Sequence, residues 1–244
     1  MPGAMVTKRG ADRIRNGHLW IYRSDVIDAS EVAGGSITAL LDQHGNFVGQ
    51  AFYSDRSEIA LRLLTRSDEA INRDWWFRRI HRAAQRRKVI AHNTNAYRLF
   101  YSEGDLIPSL IIDRYDDVLV LQTLSQGSEV LKSTFVELLI EQFSPRTIFE
   151  RNDVRVRVLE GLPLVTGVLY GDPVDQVEAT QDGLRFIVVP MGGQKTGSFL
   201  DQRENRLAAQ SYAHGRALDC FTFAGGFALH LSRVCERVVG IDIS

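Results

Sequence analysis

LDCFTFAGGFALHLSRVCERVVGIDIS, residues Leu218 to Ser244, is the stretch whose reading decides the fold. With Arg216 and Ala217 ahead of it, RALDCF is a short apolar strand. Gly225-Gly226 lets the chain turn tightly and brings backbone close to a ligand. FALHLSRV reads as a helix with Phe227, Leu231 and Val234 on one face. RVVGIDI is a β-branched strand that ends on an acid, Asp242. Strand, helix and strand in this order imply a right-handed crossover and a parallel sheet. The expected fold class is α/β, with the start of a Rossmann-like domain over residues 191–244.

Ligands of such a sheet sit beyond the carboxyl ends of its strands. Asp242 lies 16 residues after Gly226, close to the spacing of an acid that binds ribose hydroxyls. The loop is not G-x-G-x-x-G but Asp219-x-Phe221-x-Phe223-x-Gly225-Gly226. An acid at the end of the first strand repels a pyrophosphate. It suits a cationic ligand such as the amino group of S-adenosylmethionine, which favours a methyltransferase over a dehydrogenase. Cys220, on that strand, reads as a buried structural thiol rather than a nucleophile.

Just upstream stands GGQKTGSFLDQRENR, which lacks the G-x-x-x-x-G-K-[ST] spacing of a phosphate loop. Asp201 suits a helix N-cap, with Glu204 completing a capping box and Leu207, Ala208 and Tyr212 giving an apolar side. That reading leaves unexplained why Gln194, Lys195, Thr196, Gly197 and Ser198 cluster ahead of the helix.

Residues 1–72 carry short β-like runs, SITALLD, FVGQAFY and EIALRLLT, with a hairpin signal at DQHGNF. A small, mostly β, barrel-like module is expected. RIRNGHLWIYRSDV, ahead of those strands, interleaves Arg13, Arg15 and His18 with Trp20 and Tyr22. This suits RNA, whose bases stack on rings while guanidinium groups hold phosphates. The alternative is that Trp20 and Ile21 are core residues and the arginines plain surface.

Residues 73–190 read as an α+β unit. From Arg73 to Arg98 there are eight Lys/Arg residues and one acid, a local charge of +7 against −1 for the chain. In WWFRRIHRAAQRRKVIAH, Trp76, Ile80 and Ala83/Ala84 form an apolar stripe. Arg79, Arg82 and Arg86 line another face, either a solvated one or one that displaces counterions from a nucleic acid backbone. Leu131, Phe135, Leu138, Leu139 and Phe143 mark a later helix, with Ser128 as its N-cap. Asp113, Asp116, Asp117, Glu150 and Asp153 are expected in turns and at the surface. Each of these first two units is expected to have its own core.

Composition agrees with a globular protein: 244 residues, 44% hydrophobic and 24% charged. No apolar run reaches the length of a membrane helix, and the start has no signal-peptide core. Cys220 and Cys235 lie 15 apart without paired-ligand spacing, so no metal is expected and a reduced, cytoplasmic protein is the plain reading.

GGQKTGSFLDQRENR followed by LDCFTFAGGFALHLS and VVGIDIS resembles the PUA-domain, S-adenosylmethionine-dependent methyltransferases that act on large-subunit ribosomal RNA. RIRNGHLWIY is similar to that family's PUA entry, YRLFYSEGDLIPSLIIDRY to its central domain, and IFERND to the strand after the central helix. The resemblance implies a PUA-like RNA-binding domain over 1–72, a central α+β domain over 73–190 and the first part of the methyltransferase domain over 191–244. It implies that Phe199, Asp201 and Arg203 flank the cofactor pocket. Asp219, Phe221, Phe223, Gly225 and Gly226 would wrap the methionine and adenosine portions, and Asp242 would take the ribose. Arg13, Arg15, His18, Trp20, Arg79, Arg82 and Arg86 are the expected RNA contacts. Ser198 stands where the family usually has an aromatic residue.

Some family members make 5-methylcytosine in 23S rRNA. Their thiolate adds at C6 of cytosine, so that C5 can attack the sulfonium methyl. The resemblance puts that cysteine and a proline-containing acidic motif beyond Ser244. The chain is therefore expected to be truncated and inactive alone, with no catalytic residue of its own. The competing classes are a non-catalytic RNA-binding protein and, more remotely, a nucleotide-dependent oxidoreductase. The oligomeric state stays open, a homodimer included.

Overall fold

The computed structural model describes residues 3–192 and 196–243. The chain begins β1 (Gly3–Val6), α1 (Lys8–Arg15), β2 (Trp20–Tyr22), β3 (Val26–Asp28), β4 (Ile37–Leu41), β5 (Phe47–Tyr53) and β6 (Ile59–Thr65). These strands form one sheet in the order β2-β6-β5-β4-β1-β3. Its pairings are antiparallel except β1 with β4. The turn DQHGNF joins β4 to β5, and Gly45 takes φ +81° there, a value that glycine adopts freely.

The middle of the chain follows with α2 (Arg73–Ile90), β7 (Ala96–Tyr101), β8 (Leu110–Tyr115), β9 (Val118–Thr123), α3 (Gln126–Val130), α4 (Lys132–Phe143), β10 (Thr147–Asn152), α5 (Val156–Leu159) and β11 (Val165–Gly171). Five strands make a second sheet, β11-β10-β9-β8-β7, in which only β9 and β10 run parallel. The helix α2 starts where the Asn72 side chain accepts from Trp75 N at 3.0 Å. It buries Trp75, Trp76, Ile80, Ala83 and Ala84. Burying each large apolar side chain contributes about 1.5–3 kcal/mol.

The two units do not have separate cores. Phe52 and Leu64 of the first sheet pack into the same cluster as Trp76, Phe100 and Phe135. The opposite side of the first sheet, around Ile21, Leu40 and Leu61, is a core of its own, and so is the outer face of the second sheet, around Tyr115, Val120 and Phe149. The shared seam also carries a buried ion pair, Arg62 to Glu160 at 2.7 Å. At Gly127 a Cβ would fall 2.3 Å from the Phe52 ring, so glycine is what lets α3 approach the first sheet.

Two expectations fail in this region. The helix marked by Leu131 to Phe143 is α4, whose N-cap is Leu131 without a side-chain bond, while Ser128 lies in α3 and completes the capping box of Ser125. Asp113 and Glu150 are buried rather than at the surface, because each has a cation for its charge: Arg98 at 2.8 Å and Lys132 at 2.9 Å.

The rest is β12 (Val177–Gln181), β13 (Leu184–Val188), α6 (Arg203–Gln210), β14 (Arg216–Cys220), α7 (Gly226–Leu231) and β15 (Arg237–Ile241). The hairpin β12–β13 packs Val177, Ala179 and Val188 on the outer face of the second sheet, against Tyr115, Val120 and Phe149. β14 and β15 pair in parallel, as the βαβ reading requires.

Here too the local detail departs from expectation. A short 3-10 turn, Leu200–Gln202, precedes α6, whose N-cap is Gln202 without a side-chain bond, so Asp201 does not cap it. α6 ends before Tyr212, which is 85% exposed, and Ala208 is exposed. What α6 buries is Arg203 and Arg206, because both guanidinium groups find oxygen acceptors inward. α7 is only six residues long and stops short of Val234. Cys220 is exposed, since β14 has nothing packed over that position. Gln194 and Lys195 lie outside the described residues.

Candidate functional site

The βαβ unit turns between Cys220 and Gly226 through a strained loop. Phe221 at φ +63°, Phe223 at +49° and Gly225 at +77° all sit in the left-handed region. Two phenylalanines in that conformation are outliers that persist only where the surroundings over-determine them. Those surroundings are the two acids. Asp219 Oδ2 accepts from Thr222 Oγ1 at 2.6 Å and from Ala228 N at 2.9 Å. Asp242 Oδ2 accepts from Phe223 N at 2.7 Å, and its Oδ1 from Ile243 N at 2.8 Å. Phe221 N and Thr222 N both donate to Ile241 O, at 2.8 and 3.1 Å.

The loop forms one wall of a cavity of about 720 Å³. Phe221, Thr222, Phe223 and Ala224 face it, with Gly226, Phe227, Leu229 and His230 of α7 beside them. The second wall is Ser198, Phe199, Asp201, Gln202 and Arg206. Gln181, Leu184 and Phe186 of the β12–β13 hairpin supply the third, and Asp242 and Ile243 the last. Phe199 meets Phe223 edge to face at 5.5 Å. The cavity thus joins five phenylalanines to eight polar or charged residues, a make-up that suits a ligand with both an aromatic ring and charged groups.

Arg206 is its buried cation. One terminal nitrogen donates to Gln181 Oε1 at 2.9 Å, the other to Phe199 O at 3.1 Å. Burial pushes its pKa down, and Asp201 and Asp219 draw it back up. Its guanidinium lies against Gly226, where a Cβ would come within 2.8 Å of it. Gly226 is therefore a seat for this arginine as well as a turn residue. Three side-chain atoms on lining residues are buried with no partner: Arg206 Nε, Gln181 Nε2 and His230 Nδ1. Buried polar atoms are nearly always bonded, so such a cluster calls for an explanation. His230 is held toward its neutral form, first by burial and then by Arg206.

Of the residues expected at a cofactor, the cavity wall brings together Phe199, Asp201, Phe221, Phe223, Gly226 and Asp242. It does not include Arg203, Asp219 or Gly225. Arg203 instead forks onto Asp182, at 2.5 and 2.8 Å, and donates to His92 O at 2.7 Å, clamping α6 to the hairpin turn and to the end of α2. Asp219 stands behind the loop and holds it. The sequence reading missed Gln181, Phe186, Arg206, Phe227 and His230. Arg206 had a signal, since it lies one helical turn from Arg203 in the same motif. Gln181 and Phe186 had none, because the hairpin is brought in from some 40 residues before the loop.

The expected RNA contacts are mostly engaged within the protein. Arg13 pairs with Asp25 at 3.3 Å and Arg15 with Asp42 at 2.7 Å. Trp20 Nε1 donates to Glu103 across the seam between the sheets at 2.9 Å, and His18 Nδ1 meets Trp20 N at 3.1 Å. Arg79 lies 4.4 Å over the Trp75 ring, and Arg86 bonds Asp105 at 3.1 Å. Arg82 is exposed on α2, as are Arg78 and Lys88. Arg13 and His18 also border a shallow surface hollow with Lys8, Arg9, Asp12 and Asn16. No helix among the described residues is long and apolar enough to cross a membrane, and none of their His, Cys, Asp or Glu groupings could hold a metal ion.

Comparison with known proteins bears on both regions. The family model for PUA-like domains matches residues 4–66. Ribosomal RNA large subunit methyltransferase I of Yersinia pseudotuberculosis serotype O:1b (strain IP 31758) is 37% identical over 235 residues, 93% of this chain and 59% of that protein. The protein of the same name from Yersinia pestis matches equally. The chain thus spans 59% of the length of these relatives. Among solved structures, one from Streptococcus mutans, provisionally described as a SAM-dependent methyltransferase, aligns over 100% of this chain and 64% of its own, with a TM-score of 0.83 at 21% identity. A second, provisionally described as a methyltransferase and complexed with SAH, aligns over 100% and 63%, with a TM-score of 0.84 at 22% identity. The chain therefore carries an N-terminal PUA-like domain, has homologues named as large-subunit rRNA methyltransferases, and shares its α/β fold with methyltransferase structures.

Proposed function

We propose that the cavity between the Phe221–Gly225 loop and α6 binds S-adenosylmethionine, and that the full-length protein methylates large-subunit ribosomal RNA. The observation that carries this reading is the pairing of a strand-end acid, Asp242, with a buried arginine, Arg206, in the lining of one aromatic cavity. The residues present fit such a group. Asp242 would accept from ribose hydroxyls, and such charged hydrogen bonds contribute roughly 1.5–3 kcal/mol each. The phenylalanines would cover the adenine. Arg206, with Asp201 near it, offers opposite charges to an amino acid moiety. The bound cofactor supplies an electrophilic methyl group.

The finer reading is a 5-methylcytosine product in 23S rRNA, with the target base leaving its stack to enter the site. Residues 1–72 and 73–190 serve as the RNA-side units and 191–244 as the cofactor side, to which the second unit lends its β12–β13 hairpin. RNA is held mainly through charge. The test is calorimetry with S-adenosylmethionine, followed by radiolabel transfer from it to large-subunit rRNA and digestion of the product to nucleosides. Label in 5-methylcytosine is expected. Label in another base overturns the finer reading. RNA binding with no transfer by the full-length protein overturns the enzyme reading and leaves a binding protein.

A further inference from the structure

The polar cluster ahead of α6 has no role in capping the helix, and within it Thr196 turns to the second sheet rather than to the cavity. Thr196 is 1% exposed. Its hydroxyl donates to Asp113 Oδ2 at 2.5 Å and lies 3.4 Å from the Tyr115 hydroxyl. Ser198 N donates to that same Tyr115 hydroxyl at 3.1 Å. Asp113 and Tyr115 both belong to β8 and are fully buried in the second sheet. From β7, Arg98 forks onto Asp113 at 2.8 and 2.9 Å. On β10, Arg151 fixes the other end of the segment by donating to Pro190 O at 2.6 Å. Between Thr196 and Ser198, Gly197 runs at φ +127°, with a Cβ there only 2.7 Å from Val188, so the chain passes closer than any side chain would permit.

Apolar packing could hold a connecting segment with less desolvation than a buried carboxylate requires. What the polar arrangement adds is direction, since each bond fixes one atom at one distance. The residues so fixed lead straight into the cavity. Ser198 and Phe199 line it; the Phe199 carbonyl receives Arg206, and its ring meets Phe223. The Arg98 that grips Asp113 also sits close enough to Asp201 for the two charges to interact.

We propose that Arg98, Asp113, Tyr115 and Thr196 form a latch through which the second sheet sets the position of the Ser198–Asp201 wall of the cofactor cavity. They are positioning residues. They touch no ligand, and they act by holding Phe199 and Asp201 where the bound group needs them. The proposal rests on the reading of the cavity as an S-adenosylmethionine site.

The experiment uses the full-length protein, S-adenosylhomocysteine as the probe, and Thr196→Val, Thr196→Ser and Tyr115→Phe. Affinity is read by calorimetry, and hydrogen exchange of the unliganded protein is followed in peptides covering residues 198–203 and 147–152. Thr196→Val is expected to weaken binding tenfold or more and to speed exchange over 198–203 while 147–152 stays protected. Thr196→Ser, which keeps the hydroxyl, should restore both. Affinity within twofold of the parent overturns the latch. So does exchange raised equally over both segments, which marks a purely structural role. Should Thr196→Val not fold, Tyr115→Phe, which removes the acceptor for Ser198 N and keeps the Thr196–Asp113 bond, is held to the same outcomes. A parent that binds no S-adenosylhomocysteine refutes the cavity reading. The exchange arm then decides the latch by itself: faster exchange confined to 198–203 sustains it, and no change overturns it.

Discussion

Strand β9 buries all six of its residues, and strand β14 buries none. The contrast runs through the molecule. Up to Val188, the interior is a continuous set of apolar clusters spanning two sheets. After Val188 the one apolar side chain buried among the described residues is Pro190; the other buried ones are Thr196, Arg203, Arg206 and His230. Packing builds the first region, and directional polar bonds place the second. Area burial contributes stability without choosing exact positions, whereas a buried charge network contributes little net stability and fixes geometry. The region with the candidate site is the one built for placement.

The largest expected effect tests that division directly. Phe135 is fully buried and meets Trp76 edge to face at 5.6 Å. Phe135→Ala should cost about 3–5 kcal/mol of unfolding free energy. Leu218, on β14, is 58% exposed. Leu218→Ala should stay within about 0.5 kcal/mol. Urea denaturation of both variants checks this, and comparable losses would erase the distinction between the regions.

The next effect is on pH dependence, and it too belongs to the packed region. Burial works to raise the pKa of Glu129, but bonds from Arg157, Lys132 and Thr123 outweigh it and hold the carboxyl at about 2. A depressed carboxyl contributes its stability in full above the unfolded value of 4.5 and loses it as pH falls through the folded one. Acid sensitivity should therefore develop between pH 4.5 and about 2. At neutral pH the contribution is about 2–3 kcal/mol, at roughly 1.4 kcal/mol per pK unit with some screening. Glu129→Gln should reduce the slope over that window in pH-dependent denaturation, leaving the part that Asp25, Asp42 and the other depressed carboxyls supply. An unchanged slope would place the acid-labile group elsewhere.

The same division explains what the sequence made legible. Helix α2, the hairpin at DQHGNF and the parallel β14–β15 pair each announce themselves through period or turn chemistry, because local pattern and packing agree there. The shared core does not: the period of two puts Ala51 and Phe52 on opposite faces, but nothing in FVGQAFY says that the Phe52 face is covered by the second unit. In the candidate site, Asp242 and the glycine loop were readable because they lie within one βαβ unit. The inward pairing of Arg203 and the burial of Asp113 were not legible, for the same reason. Their roles depend on partners more than ten residues away, Asp182 and Arg98, and spacing carries no trace of such partners.

Asp242 sharpens the comparison from the side of the second region. On the proposed reading, Asp242→Ala should weaken S-adenosylmethionine binding by roughly 1.5–3 kcal/mol, about 10- to 150-fold, with little change in global stability. Asp242 also holds Phe223 N, so the loss mixes two roles. Asp242→Asn keeps an oxygen for that amide and removes the charge. Calorimetry should find it intermediate. Equal affinity for all three proteins would dismiss the ribose role.

The smallest effect lies where the packed region meets solvent, on α2. Its arginines carry similar charge and different attachments. Arg86 bonds Asp105, which Arg87 also grips in a two-pronged contact at 2.6 Å, so much of that charge is already neutralised within the protein. Arg79 is spread over the Trp75 ring. Arg82 is exposed, with an exposed arginine on either side along the helix at Arg78 and Arg86. An arginine already paired to a carboxylate releases few counterions when a phosphate arrives, whereas an unneutralised one contributes about one unit to the salt slope. Arg82→Ala should therefore weaken rRNA binding nearly uniformly across sequences and lower the slope of log affinity against log salt by about one. Arg86→Ala should leave that slope nearly unchanged. Fluorescence anisotropy over a salt series measures both. Equal slope changes for the two variants would mean that internal pairing does not decide which arginines reach RNA. The basic helix would then count as one undivided surface.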